Sequence, residues 1–60
     1  MKVNDIKVNH VYVTDKGKRK VLGIVGPMIK WAYVGRSEKR YMNLSDFANI
    51  AVEDLGEVEQ

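Results

Sequence analysis

Residues 28–34 read MIKWAYV, and the alternation within this stretch decides the fold. Ile29, Trp31 and Tyr33 fall on one side of an extended chain, and the residues between them fall on the other, as expected for a β-strand. Turn-forming residues flank the stretch, with Gly26-Pro27 before it and Gly35-Arg36-Ser37 after it. We therefore predict a strand between two turns, with one face directed towards a core.

Three further segments have the composition of strands. Residues 10–14 (HVYVT) are β-branched and aromatic, and the polar residues 15–18 that follow them predict a turn. Residues 19–25 (RKVLGIV) are rich in Val and Ile, and residues 38–44 (EKRYMNL) alternate Tyr41 with its neighbours. The four strands predict an antiparallel meander.

The two ends of the chain follow other patterns. Ser45 is a good N-cap, and the apolar residues that follow at helical spacing predict a short helix over residues 45–51. Residues 1–9 have no clean period and are expected to form an irregular arm over the core. We assign residues 1–52 to one domain and residues 53–60 to an acidic tail. The tail could add a strand or a helical turn, but fraying after Leu55 is favoured.

Short strands at a spacing of about ten residues, joined by tight turns, predict a mainly β fold. A flat sheet of this size would expose the backbone groups of its outer strands, whereas a closed barrel removes these edges. We predict a small antiparallel SH3-like barrel of four or five strands with a short helical turn. The predicted core consists of Val11, Val13, Leu22, Ile24, Ile29, Trp31 and Phe47.

Length and composition exclude several classes of protein. A chain of 60 residues without cysteine is too short for a two-domain enzyme and cannot form a disulfide-stapled miniprotein or a cysteine-based zinc module. The sequence contains neither the roughly 18 apolar residues of a membrane span nor the pattern of a signal peptide, so we expect a cytoplasmic protein. The net charge of +2 is unevenly distributed, since residues 1–52 carry +6 and residues 53–60 carry −4.

Catalytic and metal-binding residues are scarce in this sequence. His10 is the only histidine and is expected to face solvent at the start of a strand, and neither serine has a neighbouring base that would activate it. Gly23, Gly26 and Gly35 fall within or between predicted strands, which is typical of turn or bulge glycines and not of a phosphate-binding loop. We expect no enzymatic activity, no metal and no cofactor.

The strongest functional signal is a pair of basic clusters. They consist of Lys16, Lys18, Arg19 and Lys20 in the first hairpin and Arg36, Lys39 and Arg40 in the second. A meander can bring both clusters to one face, where they would attract the phosphates of DNA or RNA. Tyr33 and Tyr41, and also Tyr12 or Trp31, would stack on unpaired bases if they face outwards. The alternative is that the lysines only solvate two loops and that Trp31 belongs to the core.

The layout of residues 6–51 resembles that of small SH3-like barrel proteins encoded by bacteriophages and mobile elements. The resemblance lies in an apolar entry segment, Val11-Tyr12-Val13, a basic hairpin, Val21-Leu22-Gly23-Ile24, an aromatic strand and a final Ser45-x-Phe47. It implies a compact binding module without catalytic residues, acting on nucleic acid or on a host protein, in the host cytoplasm if the chain is phage-encoded.

A protein partner is therefore the alternative to nucleic acid. The predicted surface for it is either an apolar patch of Tyr33, Tyr41 and Met42 or the acidic tail, whose carboxylates would imitate a phosphate backbone. The chain is expected to be a monomer or a homodimer. A dimer would use the fourth strand or the stripe formed by Val52, Leu55 and Val58.

Overall fold

The computed structural model describes residues 1–57 of the chain. The elements, in chain order, are a short 3-10 helix Val3–Asp5, β1 His10–Thr14, β2 Gly17–Val25, β3 Met28–Tyr33, β4 Arg40–Asn43, α1 Leu44–Ile50 and β5 Ala51–Glu57. The four predicted strands and the predicted helix are all present. Neither helix is long and apolar enough to cross a membrane.

The five strands form one antiparallel sheet in the order β4-β3-β2-β1-β5. The mainly β prediction is confirmed, but within residues 1–57 no pairing joins β4 to β5, so the sheet is not closed into a barrel. Fraying after Leu55 is wrong, because β5 pairs with β1 as far as Glu57, which lies opposite His10. Val58 of the predicted apolar stripe and Glu59 of the acidic tail lie outside the described residues.

The pairing of β2 with β3 contains a bulge that changes which residues face the core. Val21 lies opposite Trp31, but the next paired residue, Gly23, lies opposite Lys30, so Leu22 is the extra residue. Leu22 is half-buried, and Ile24 is 36% exposed at the end of the hairpin. Both had been predicted to be core residues. The side chain that fills this part of the core is Val21, which is fully buried.

The predicted core residues of β1 are Val11 and Val13, but the side chain of β1 that enters the core cluster is Tyr12. Tyr12 is completely buried in the core beneath α1, and its ring meets the edge of the Phe47 ring at 5.8 Å between centroids. Val11 is buried as predicted, but it is not part of the core cluster that contains Tyr12, and Val13 is only half-buried. Ile29, Trp31 and Phe47 take their predicted core positions, so they and Val11 are the confirmed members of the predicted set.

The N-terminal arm explains how a tyrosine is accommodated in this core. The Tyr12 hydroxyl donates a hydrogen bond to the Asp5 carbonyl at 3.0 Å and accepts one from the Lys7 N–H at 2.8 Å. Ile6, between these two residues, is buried in the same cluster. The prediction of an arm that lies over the core is confirmed, and the arm also supplies the polar partners that a buried phenol requires.

The helix α1 begins at Leu44, and its N-cap lies two residues earlier than predicted. Asn43, and not Ser45, is its N-cap, since the Asn43 side-chain oxygen accepts a hydrogen bond from the Ser45 N–H at 2.9 Å. In a helix that begins at Leu44, Phe47 and Ala48 point inwards. They cover the face of the sheet that carries Tyr12, Ile29 and Trp31. The small core lies between that face and α1.

A hydrogen bond between the side chains of His10 and Asp54 connects β5 to β1. Nδ1 of His10 lies 3.0 Å from Oδ1 of Asp54, so His10 is half-buried and paired, contrary to the expectation that it faces solvent. Partial burial acts to raise the pKa of Asp54, but hydrogen bonds from the Gly56 N–H and from His10 outweigh it and hold the pKa below its ordinary value. Asp54 therefore favours the folded state most strongly when it is ionised.

We expect acid to remove this contribution. A carboxyl whose pKa is lower in the folded state stabilises the fold above its unfolded pKa of about 4, and the contribution is lost as the pH falls through the depressed folded value. Asp54→Asn should lower the melting temperature near neutral pH and reduce the loss of stability on acidification, measured by thermal unfolding from about pH 7 to about pH 2. Asp15→Asn, in an exposed turn that accepts either residue, is the control. Equal melting curves for Asp54→Asn and the wild type would contradict the prediction.

Candidate nucleic-acid interface

The turn between β1 and β2 presents the first basic cluster. Thr14 lies opposite Gly17, its hydroxyl donates to the Gly17 carbonyl at 2.8 Å, and its oxygen accepts from the Lys16 N–H at 3.3 Å. Gly17 has a φ of +117°, a value that residues other than glycine rarely adopt. The turn is therefore closely defined, and it places the exposed Lys16 and Lys18 on either side of Gly17.

The loop between β3 and β4 lies beside this turn and carries the second basic cluster. The Val34 N–H donates to the Lys18 carbonyl at 3.2 Å, which continues the pairing of β2 and β3 beyond the end of β3. The chain then turns, and the Arg36 N–H donates to the Tyr33 carbonyl at 3.0 Å. Two segments that are distant in sequence thus meet at one end of the sheet.

A groove of about 580 Å³ lies where the two segments meet. Its walls are formed by Lys16, Gly17, Lys18, Tyr33, Val34, Arg36, Glu38 and Arg40. The only carboxylate among them, Glu38, is paired with the Arg40 guanidinium at 3.0 Å. Among the described residues, no ion pair neutralises Lys16, Lys18 or Arg36. We call this feature the basic groove; its excess of positive charge suits a polyanion.

A second depression of about 300 Å³ adjoins the basic groove. It is lined by Lys20, Leu22, Ala32, Tyr33, Val34, Arg36, Ser37 and Lys39, and it shares Tyr33, Val34 and Arg36 with the groove. Lys20 lies opposite Ala32 in the sheet, and the bulge of β2 places Leu22 beside them. We call this second feature the apolar depression; it has an apolar lining with lysine and arginine at its margin.

Arg19 is the one member of the basic clusters that lines neither feature. It is only 6% exposed, and its guanidinium carbon lies 4.0 Å from the centre of the Trp31 ring. Its terminal nitrogens contact the Met42 sulfur at 3.6 Å and the Tyr33 hydroxyl at 3.4 Å, whereas Nε has no partner among the described residues. No carboxylate in residues 1–57 pairs with Arg19, so aromatic rings stabilise this buried charge.

The structure distributes the predicted aromatic residues between different environments. Tyr33 is half-buried and borders both features, while its ring packs edge-on against Trp31 at 5.0 Å between centroids. Trp31 is 5% exposed, which confirms its interpretation as a core residue. Tyr41 is 63% exposed but lines neither feature, and Tyr12 is buried. Tyr33 is thus the only one of these four that borders the basic groove.

Some lining residues were not recognised as site residues from the sequence. Leu22 was assigned to the core, because no sequence signal located the bulge at which β2 changes its alternation. Ala32 and Val34 do have a signal, since they lie on the face of the predicted third strand opposite Ile29 and Trp31. That outward face forms the lining of the apolar depression.

Comparison of the chain with protein-family models, with curated proteins and with solved structures found no match.

Proposed function

We propose that this chain is a non-catalytic module that binds nucleic acid through the basic groove. One observation carries the proposal: basic residues from two separate hairpins converge on one concave surface, and its single carboxylate is already paired with an arginine. Lys16, Lys18 and Arg36 would each neutralise a backbone phosphate and release counterions. The same contacts make binding strongly dependent on salt.

The charges elsewhere in the molecule are consistent with this surface. Glu53, Asp54 and Glu57 lie on β5, at the edge of the sheet opposite to β4. Arg40, on β4, lines the basic groove. A polyanion would therefore meet attraction on the side of the β3–β4 loop and repulsion along β5, which orients the molecule during encounter.

The test is a charge reversal with a matched control. Lys16→Glu with Lys18→Glu should weaken binding of a labelled oligonucleotide at least tenfold and reduce the slope of log affinity against log salt by about 1.5, because two phosphate contacts are lost. Lys2→Glu with Lys7→Glu changes the net charge equally at exposed positions outside the groove and should leave the slope nearly unchanged. Fluorescence anisotropy at about 50 and 200 mM salt measures both quantities.

Two results would contradict the proposal. If both double variants weaken binding equally, attraction depends only on net charge and not on the groove. If the wild-type chain binds no oligonucleotide even at about 50 mM salt, the chain is not a nucleic-acid module of this kind. Deletion of the C-terminal residues is not a suitable control, because β5 pairs with β1 and its loss would disrupt the sheet.

A protein-binding role remains the alternative, and its surface differs from the one expected. Tyr41 and Met42 are neighbours on β4, and Met42 packs against the core while Tyr41 is exposed on the other face. Met42 and Tyr33 both contact Arg19, so it is Tyr41 that does not share a patch with the other two. The acidic strand β5 is the better candidate for a basic protein partner, since Glu53, Asp54 and Glu57 are exposed along an edge.

We also propose that the fold is of the SH3-like kind suggested by the resemblance to phage and mobile-element proteins. The bulges in the pairings of β2 with β3 and of β1 with β5 support this proposal, because bulges increase the twist and curl a sheet around its core. The short helix between β4 and β5 covers the same core. A cytoplasmic location fits such a module and is part of the proposal.

A further inference from the structure

We propose that the nucleic acid is single-stranded and that one of its unpaired bases enters the apolar depression. The inference rests on the proposed function, because it assumes that phosphates occupy the basic groove. It adds the class of nucleic acid and a second binding position, where Leu22 and Ala32 offer apolar contacts beside the charges already described. Both adjoining surfaces carry lysine and arginine, but only the apolar depression is also lined by Leu22 and Ala32.

The chemistry of the apolar depression fits a nucleotide. A base is flat and largely apolar on its faces, and each base is attached to a backbone that carries one negative charge per phosphate. Leu22 and Ala32 offer apolar contact, while Lys20, Arg36 and Lys39 stand at the margin. A ligand that is apolar in its centre and anionic at its edge satisfies both sets of residues.

The connection between the two surfaces favours a strand over a single nucleotide. Tyr33, Val34 and Arg36 line both the basic groove and the apolar depression, so a base in the depression has the groove directly beside it. The phosphates that flank the base can then contact Arg36 and the lysines of the groove. The bound segment would be a base with its neighbouring backbone, as in other single-strand binding surfaces.

A duplex does not fit this arrangement equally well. In a double helix the faces of the bases are stacked on one another, and only their edges are open in the grooves. The apolar lining would then remain uncovered, or a base would have to leave the stack at a free-energy cost. Binding to a duplex would use the basic groove alone.

The experiment compares three ligands that carry the same number of phosphates: a single strand, a duplex and an abasic single strand. At about 50 mM salt the intact single strand should bind about 5- to 100-fold more tightly than the abasic strand, and more tightly than the duplex per binding site. The abasic strand should retain the salt dependence of phosphate contacts. This comparison uses the wild-type protein, so it does not depend on the folding of any variant.

A variant then locates the base. Leu22→Gln keeps the approximate size of the side chain but makes the lining polar, and it should remove most of the preference for the intact strand while the affinity for the abasic strand stays the same. Val25→Gln is the matched control, because Val25 is on the same strand, is 73% exposed and lines neither surface. It should keep the full preference.

The remaining outcomes contradict either the inference alone or both the inference and the proposed function. Equal, salt-dependent binding of all three ligands would overturn the inference and leave the proposed function in place. A preference that survives Leu22→Gln unchanged would also overturn it, since the base would lie elsewhere. Binding of none of the three would overturn both. Preferential binding of an acidic, leucine-containing peptide, included as a fourth probe, would assign the depression to a peptide and overturn the inference.

Discussion

Phe47→Ala is expected to unfold most of the protein at room temperature. Phe47 is completely buried and is the largest side chain that α1 contributes to the core. Truncating a buried phenylalanine to alanine costs about 3–5 kcal/mol. A core from a chain this short rarely supplies more than about 3–5 kcal/mol in total. The substitution therefore removes a free energy comparable to the whole stability of the fold.

Urea unfolding followed by circular dichroism measures this effect, and a control on the same helix is available. Asn49→Ala changes an exposed residue of α1 and should shift the free energy of unfolding by no more than about 0.5 kcal/mol. If Phe47→Ala unfolds at the same urea concentration as the wild type, α1 does not pack on the sheet as described.

Tyr12→Phe is expected to destabilise the protein by about 1–3 kcal/mol although it removes a single oxygen atom. The hydroxyl both donates to the Asp5 carbonyl and accepts from the Lys7 N–H. Without it, these two backbone groups of the arm lose their hydrogen-bond partner on β1. We expect the arm to detach from the core more readily. The packing of Ile6 and the hydrogen bonds from the Met1 amino group to the Ala48 carbonyl and from the Asn9 N–H to the Val21 carbonyl would remain.

The measurement for Tyr12→Phe is again the free energy of unfolding, with Tyr41→Phe as the control, because Tyr41 is 63% exposed. Both variants lose one hydroxyl oxygen. A difference between their free energies of unfolding therefore reports the different environments of the two hydroxyls. Burial is the main cause of the raised pKa of Tyr12, and it is assisted by the nearby Asp54. The neutral phenol is therefore favoured in the folded state.

Alkaline pH gives a second measurement on the same variant. A group whose pKa is raised on folding contributes stability below its unfolded pKa of about 10, and this is lost as the pH rises through the folded value. Tyr12→Phe should therefore lose less stability at alkaline pH than the wild type, whereas Tyr41→Phe should lose the part that is due to Tyr12. Equal stability of both variants at neutral pH would contradict the role given to the Tyr12 hydroxyl.

The parts of the fold that the sequence predicted correctly depend on local signals. The alternation of Ile29, Trp31 and Tyr33 established the face of β3, and the Gly and Pro residues around it located the turns. The phase of β1 could not be derived in this way, because Val11, Tyr12 and Val13 are all compatible with a core. Burying Tyr12 requires hydrogen-bond partners from the backbone of the arm at Asp5 and Lys7, and the arm has no sequence period that would locate these groups.

The candidate site was likewise predictable only where it depends on residues that are close in sequence. The two basic clusters are evident in the sequence, and the meander predicted that they could meet, but their shared groove depends on the contact of Val34 with Lys18. Arg19 looks like its neighbours Lys18 and Lys20 in the sequence. Alternation along β2 nevertheless places it opposite Tyr33 on the core face, in phase with Val21. The predicted core residues Leu22 and Ile24 gave the opposite phase, because they lie at and beyond the bulge.

The packing of Trp31 also gives the protein an internal optical reporter. Trp31 is the only tryptophan, its ring lies against the Arg19 guanidinium, and its indole N–H has no partner among the described residues. Emission from an indole in such a dry environment differs from emission in water, and unfolding would separate the cation from the ring. Intrinsic fluorescence therefore follows the integrity of the core without a dye. A ligand in the basic groove would change it through Tyr33, whose ring packs against Trp31, and through Arg40, which lies opposite Trp31 in the sheet.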